Sequence, residues 1–206
     1  MPHGSLSLPA RLCLLAWDPT AEVTGPAHLV RAGALAELAR GGLLTDEDGI
    51  ATPADMDSLT GDAVLDGLLE LVRESRPHRW RSWVPLHARV TSDAVQEQLT
   101  AEGWLRAEKK RVLGVFPSVE HVLERVEAVD ALRDETRQLL EGAVPVAEVS
   151  ERDAAAVALA VAAGSPALLP DGDRERHKER VEELIEHTGA RAVVQELCAA
   201  LATASH

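Results

Sequence analysis

Aromatic residues are scarce in this chain of 206 residues: there is no tyrosine, one phenylalanine and four tryptophans. Leucine, valine and alanine must therefore build the interior, and an interior rich in leucine and alanine favours helices. Cysteine is nearly absent as well. Cys13 and Cys198 stand far apart in apolar surroundings, which excludes a CxxC metal pair and a disulfide-dense secreted scaffold and predicts buried thiols in a reducing cytoplasm. Lysine is reduced to three residues against 18 arginines. That is the usage expected of a high-GC bacterial genome, so position rather than abundance must give an arginine its meaning.

No stretch approaches the roughly 18 consecutive apolar residues of a membrane span. The opening MPHGSLSLPARL has no cationic segment followed by an apolar run and a cleavage site. The expectation is a cytoplasmic protein, neither exported nor integral. The signatures GxGxxG, GxxxxGKS or GxxxxGKT, HExxH and GxSxG are missing, which argues against an enzyme and predicts no cofactor. The eight histidines never stand at i, i+4, so no metal site is expected, and Asp46 with Asp48 reads as a solvated hairpin turn. A net charge of −13 opposes nucleic acid and anionic lipid as a global field, so any anion site must be local. A winged-helix DNA-binding reading fails because no helix carries a basic face.

Apolar periodicity is what the chain does have. Ser7 near a cap and Pro9 in the first turn open a helix through Leu8, Leu12 and Leu15. A second covers roughly 26–40 and stops at Gly41-Gly42. A third starts at Asp62, with Leu65, Leu68, Leu69 and Val72 on one stripe, and a fourth runs from Ser92 to Glu102. GLLTDEDGIATP and WLRAEKKRVLGVFP each read as strand, charged turn and strand, the second stopped by Pro117. The order helix, glycine, strand, turn, strand, proline thus occurs twice, at 34–53 and 95–117. From SVEHVLERVEAV to ARAVVQELCAALATA the second half reads as helical throughout, with Ser150 and Asp153 as a capping box. No linker divides the chain, so one domain over 1–206 is expected, its core at about 6–204.

Three departures from this pattern carry the functional weight. In LVRAGALAELARGG, Arg31 falls on the same helical stripe as Leu35 and Leu38, while Glu37 and Arg40 point elsewhere. A buried guanidinium needs a carboxylate, backbone carbonyls or a bound anion as partner. From Ser75 to Thr91 the chain holds four arginines, two histidines and two tryptophans with no acid. Trp80, Trp83 and Trp104 can be core residues in a chain short of aromatics or contact residues on a surface. Finally, RAEKKR places Arg106, Lys109, Lys110 and Arg111 around a hairpin turn beside Val112, Leu113, Val115 and Phe116. A basic tip next to apolar residues suits the interface of an anionic membrane.

Taken in order, LSLPARLCLLAWD, LVRAGALAELARGGLL, TGDAVLDGLLELV, AVQEQLTAEGWLRAEKKRVLGVFP and SERDAAAVALAVAAG resemble the Golgi phosphoprotein 3 family, also called the GPP34 domain, from Leu6 to about Ala204. The resemblance implies a mainly α fold, a central four-helix bundle with surrounding amphipathic helices and one or two short β-hairpins. It also implies a peripheral membrane protein that binds a phosphatidylinositol 4-phosphate-like headgroup in an arginine pocket, beside a hairpin that dips into the bilayer. Carried over position by position, the pocket arginines fall on Arg31 and Arg89, a further one falls on Ser92, and the pocket tryptophan falls near Glu22. The hairpin falls on Glu108 to Val115, with Lys109, Lys110, Arg111, Val112 and Leu113 as membrane contacts. Two arginines offer only about 3–6 kcal/mol of charge-assisted hydrogen bonding, so the hairpin is needed as a second anchor. Two partner readings stay open: an anionic phospholipid headgroup on the inner face of the plasma membrane, or a protein partner met through the tryptophan-rich island by an adaptor that has lost lipid binding.

Overall fold

The computed structural model describes residues 6–18, 24–112, 116–166, 168–169 and 174–204, with the backbone alone at 24–26, 109–112 and 116–118. Helix α1 (Leu8–Leu15) and helix α2 (Thr24–Arg40) are apolar on nearly every face, and a helix of that kind must lie inside the protein. They meet at Gly33, where an added Cβ would come within 2.6 Å of Leu12 Cδ1 and 3.2 Å of Pro9 Cα. Only a hydrogen atom lets the two helices approach this closely. Around α2 pack α1, α3 (Ala63–Glu74), α5 (Ala88–Ala101), α7 (Glu151–Ala162) and α9 (Arg191–Ala204). Helices α2 and α7 touch each other, and both touch α1 and α9, which makes these four the centre of the bundle. Buried apolar residues from Leu6 to Leu201 form one continuous cluster.

Most of the described residues are helical, and the described strands form two antiparallel pairs, so the fold is mainly α with short hairpins, as expected. The repeated helix-hairpin order is also a repeated structure. Helix α2 leads into β1 (Leu44–Glu47) and β2 (Ile50–Pro53), and α5 leads into β3 (Leu105–Val112) and β4 (Phe116–Leu123). Both helices end the same way. Gly42 at φ 71° and Gly103 at φ 73° turn the chain left-handed, while Leu43 N donates to Leu38 O and Trp104 N to Leu99 O. These are the six-to-one bonds of a glycine-terminated helix, which satisfy carbonyls the helix leaves open.

Three boundaries differ from the sequence expectation. A short helix α4 (Trp80–Trp83) precedes α5, and α5 begins at Ala88 rather than at Ser92. His87 stands at its N-cap with φ 54° and no side-chain cap, so the usual start signal is missing from the sequence. SVEHVL, expected to be helical, is the body of β4. Pro117 does not stop that strand, because in a two-stranded sheet every strand is an edge where a missing N–H is tolerated. The remaining helices, α6 (Val126–Leu140) and α8 (Lys178–Glu186), are amphipathic and cover α7 from outside. Ser150 caps α7 by accepting from Asp153 N at 3.1 Å, as the capping box predicts.

Candidate functional site

Arg31 is 1% exposed and holds the corner between α4 and α5. Its Nε donates to the carbonyl of Leu86 at 3.1 Å, its Nη2 donates to the same oxygen, and its Nη1 donates to Thr91 Oγ1 at 2.7 Å. Of the three kinds of partner open to it, the chain supplies a backbone carbonyl and a hydroxyl. Both are neutral. No carboxylate among the described residues bonds to Arg31, and burial pushes its pKa down to about 10. A displacement of that size corresponds to a desolvation cost on the order of 3 kcal/mol.

The corner that Arg31 clamps presents positive character outward. His87, the residue after the clamped carbonyl, takes the left-handed conformation, which costs a non-glycine residue about 1 kcal/mol or more unless its surroundings impose it. Arg89 and Val90 follow on the first turn of α5 and are both exposed, Val90 to 66%. That turn contains no acidic residue, so the positive end of the helix dipole is left uncompensated. Ser92, by contrast, is 4% exposed and lies inward beside Thr91. The structure therefore ties Arg31 to the α5 start through Thr91, whereas Arg89, two residues earlier and so on the opposite side of that helix, faces solvent, and the two arginines are not brought side by side.

The arginine- and tryptophan-rich segment divides by side. Its four arginines, Arg76, Arg79, Arg81 and Arg89, are all exposed. Trp80 and Trp83 are fully buried, and Trp104 is 5% exposed. Trp80 Nε1 donates to Asp46 Oδ1 at 2.6 Å, tying α4 to the first hairpin, and Trp83 meets His78 edge to face. The expectation of a tryptophan contact surface for a protein partner is corrected here: these rings are core, because a chain without tyrosine has few other large side chains to fill it.

The second hairpin also differs from its expected form. Lys109, Lys110, Arg111 and Val112 lie within β3, paired in register with Val119, Ser118, Pro117 and Phe116. The basic run is therefore strand rather than turn, and Leu113, the remaining expected contact, lies outside the described residues. At the base, Arg106 is held by Glu108 at 2.8 Å and Glu124 at 2.9 Å. The hydrogen bond that Arg106 donates to Glu124 and the charge of Glu108 raise its pKa. Val119 on β4 is 58% exposed.

A buried charge that the helical wheel pointed away from the core is Glu37, at 7% exposure. It accepts from Leu8 N at 2.8 Å, at the start of α1, and from Arg152 Nη2 at 2.7 Å and Nε at 3.2 Å, from α7, and Arg40 Nη2 donates to it from the next turn of α2. Burial acts to raise its pKa, but the bonds from Arg152, Arg40 and Leu8 outweigh that and hold it below the ordinary glutamate value. The signal was present in the sequence: a helix with alanine on its polar side has no polar side, so any charge at its middle is inside.

A family model described as Golgi phosphoprotein 3 (GPP34) matches residues 8–201. The chain belongs to the GPP34 family. The match starts at the first residue of α1 and ends within α9, so the GPP34 region contains the Arg31 corner, the Glu37 cluster and both hairpins. No curated protein matches the chain. No helix among the described residues of this GPP34 protein is long and apolar enough to cross a membrane.

Proposed function

We propose that this GPP34 protein binds an anionic, phosphate-bearing lipid headgroup of the phosphatidylinositol 4-phosphate type at the surface of the inner leaflet, as a peripheral protein and not an enzyme. The observation that carries the reading is the α4–α5 corner: an exposed Arg89 at an acid-free helix start, in a corner that is clamped from inside by a buried guanidinium with no counter-ion among the described residues. Helix N-termini favour anions because their first amides and the helix dipole both point at the ligand. In this reading Arg89 makes the contact, Arg31 fixes the corner and contributes its charge, and Ser92 lies behind them. Lys109, Lys110, Arg111 and Val112 on β3, with Leu113 next in the sequence, supply the second attachment that a single weak headgroup site needs.

Sedimentation with vesicles of phosphatidylcholine alone, or with added phosphatidylglycerol, cardiolipin or phosphatidylinositol 4-phosphate, tests it. Binding is expected to the anionic vesicles only, to weaken as salt is raised, and to fall in Arg89→Glu and in the combined Lys109→Glu, Lys110→Glu variant. Equal sedimentation of wild type and both variants, or none with any vesicle, overturns the reading.

A further inference from the structure

At the far end of α2 from the Arg31 corner lies a cavity of about 330 Å3, lined among others by Ser7, Arg40, Thr60, Asp62 and Arg152, with Glu37 at its wall. Its size is at the lower end of small-molecule sites, which run from about 300 to 1,000 Å3. What distinguishes it is the balance of donors and acceptors. Both oxygens of Glu37 are taken, by Leu8 N, Arg40 and Arg152. Both oxygens of Asp62 are taken too: Oδ1 accepts from the amides of Val64 and Leu65, and Oδ2 accepts from Gln98. Thr60 Oγ1 already serves Asp66.

The donors are not exhausted. Arg40 and Arg152 share one carboxylate, and neither has another hydrogen-bond acceptor among the described residues. A guanidinium carries five N–H donors. Arg40 Nε is buried with no hydrogen-bond partner among the described residues. Ser7, at the N-cap of α1, makes no side-chain capping bond, and Pro9 in the second helical position has no N–H to offer it. Two cations and a hydroxyl thus meet in a cavity whose carboxylate oxygens each already accept a hydrogen bond. A ligand that completes this site must bring acceptors.

We propose that this cavity binds a phosphate group, bridged between Arg40 and Arg152 and accepting from the Ser7 hydroxyl, as a site separate from the headgroup site proposed above. A tetrahedral oxyanion supplies several acceptors to two guanidinium groups, which favour phosphate through paired donors. The site differs from the α4–α5 corner in place and in residues, so each can be lost without the other.

Calorimetric titration of the intact protein with inorganic phosphate, with glycerol 3-phosphate, and with vesicles containing phosphatidic acid decides it. Saturable binding of at least one of these is expected, weaker by roughly tenfold or more in Arg40→Gln and unchanged in the surface variant Arg191→Gln, which touches neither proposed site. Preference for the two free phosphates marks a soluble phosphomonoester, and preference for the vesicles marks a lipid phosphate. Ser7→Asp guards against misfolding. Aspartate is as good an N-cap as serine and suits the helix dipole, so its melting temperature without phosphate should equal or exceed that of wild type while phosphate binding is lost. No saturable binding in wild type, wild-type affinity in Ser7→Asp, or loss in Arg191→Gln instead of Arg40→Gln overturns the proposal.

Discussion

Arg31 and Glu37 lie on the same helix, about 9 Å apart along its axis, and both are buried, yet the fold treats them in opposite ways. Glu37 is surrounded by full or partial positive charge: two guanidinium groups and a helix-start amide. Arg31 is given a carbonyl and a hydroxyl only. The contrast shows in the direction of titration. Glu37 is stabilised in its charged form, whereas Arg31 is burdened in its charged form at every pH below about 10. The C-terminal end of α2 is therefore held by compensated charge that joins α1, α2 and α7, and its middle carries a cation with no counter-ion among the described residues.

The largest break in this contrast comes from Glu37→Leu. It orphans Arg40, Arg152 and the Leu8 amide together, and the expected loss is about 3–5 kcal/mol in denaturant unfolding. A loss below about 1 kcal/mol would mean that water replaces the carboxylate freely.

Arg31→Leu should cost less, about 1–2 kcal/mol, because the unpaired Leu86 carbonyl costs roughly 1–3 kcal/mol while the desolvation burden on the guanidinium disappears. Pairing it with Thr91→Val sharpens the measurement: the double variant should lose less than the sum of the singles, since the two side chains share a bond. A loss as large as that of Glu37→Leu would reveal a negative partner for Arg31.

Acid separates the two charges without a large structural change. The folded pKa of Glu37 lies below its ordinary value of 4.5, so its contribution is complete above that pH and is lost as pH falls through the folded value. The stability difference between wild type and Glu37→Gln should therefore shrink below about pH 4.5, while the difference between wild type and Arg31→Leu stays level over the same range. Unfolding curves at several acidic pH values check both.

The smallest effect is expected from Ser150→Ala, about 1 kcal/mol, by loss of the α7 cap. Because Arg152 sits in the first turn of α7, a much larger loss would show that the cap and the Glu37 cluster unfold as one unit.

Much of the architecture was legible because it depends on near neighbours. The apolar periodicity placed α1, α2 and α3, and the glycines after α2 and α5 marked left-handed turns that sequence alone can anticipate. The helix-hairpin repeat was visible for the same reason. The errors fell where local signals were silent or misleading: His87 gives no cap signal for α5, and Val119 and Val122 of β4, three positions apart, read as helix until their pairing with Lys109 and Arg106 is known. At the corner, the sequence required a partner for Arg31 without being able to choose one.

By itself, then, the sequence determined a mainly helical GPP34 chain, its two helix-hairpin units, and the presence of a cation on an apolar stripe. Tertiary structure alone decided that this cation meets Leu86 and Thr91, that Glu37 is buried against Arg152, that the tryptophans face inward, and that the basic run lies along a strand. The physical reason is range. Periodicity and capping are set by residues three or four positions apart, but the acceptor of Arg31 is 55 residues away and the bridge from Glu37 spans 115, so only the packing of distant helices against one another brings those groups into contact.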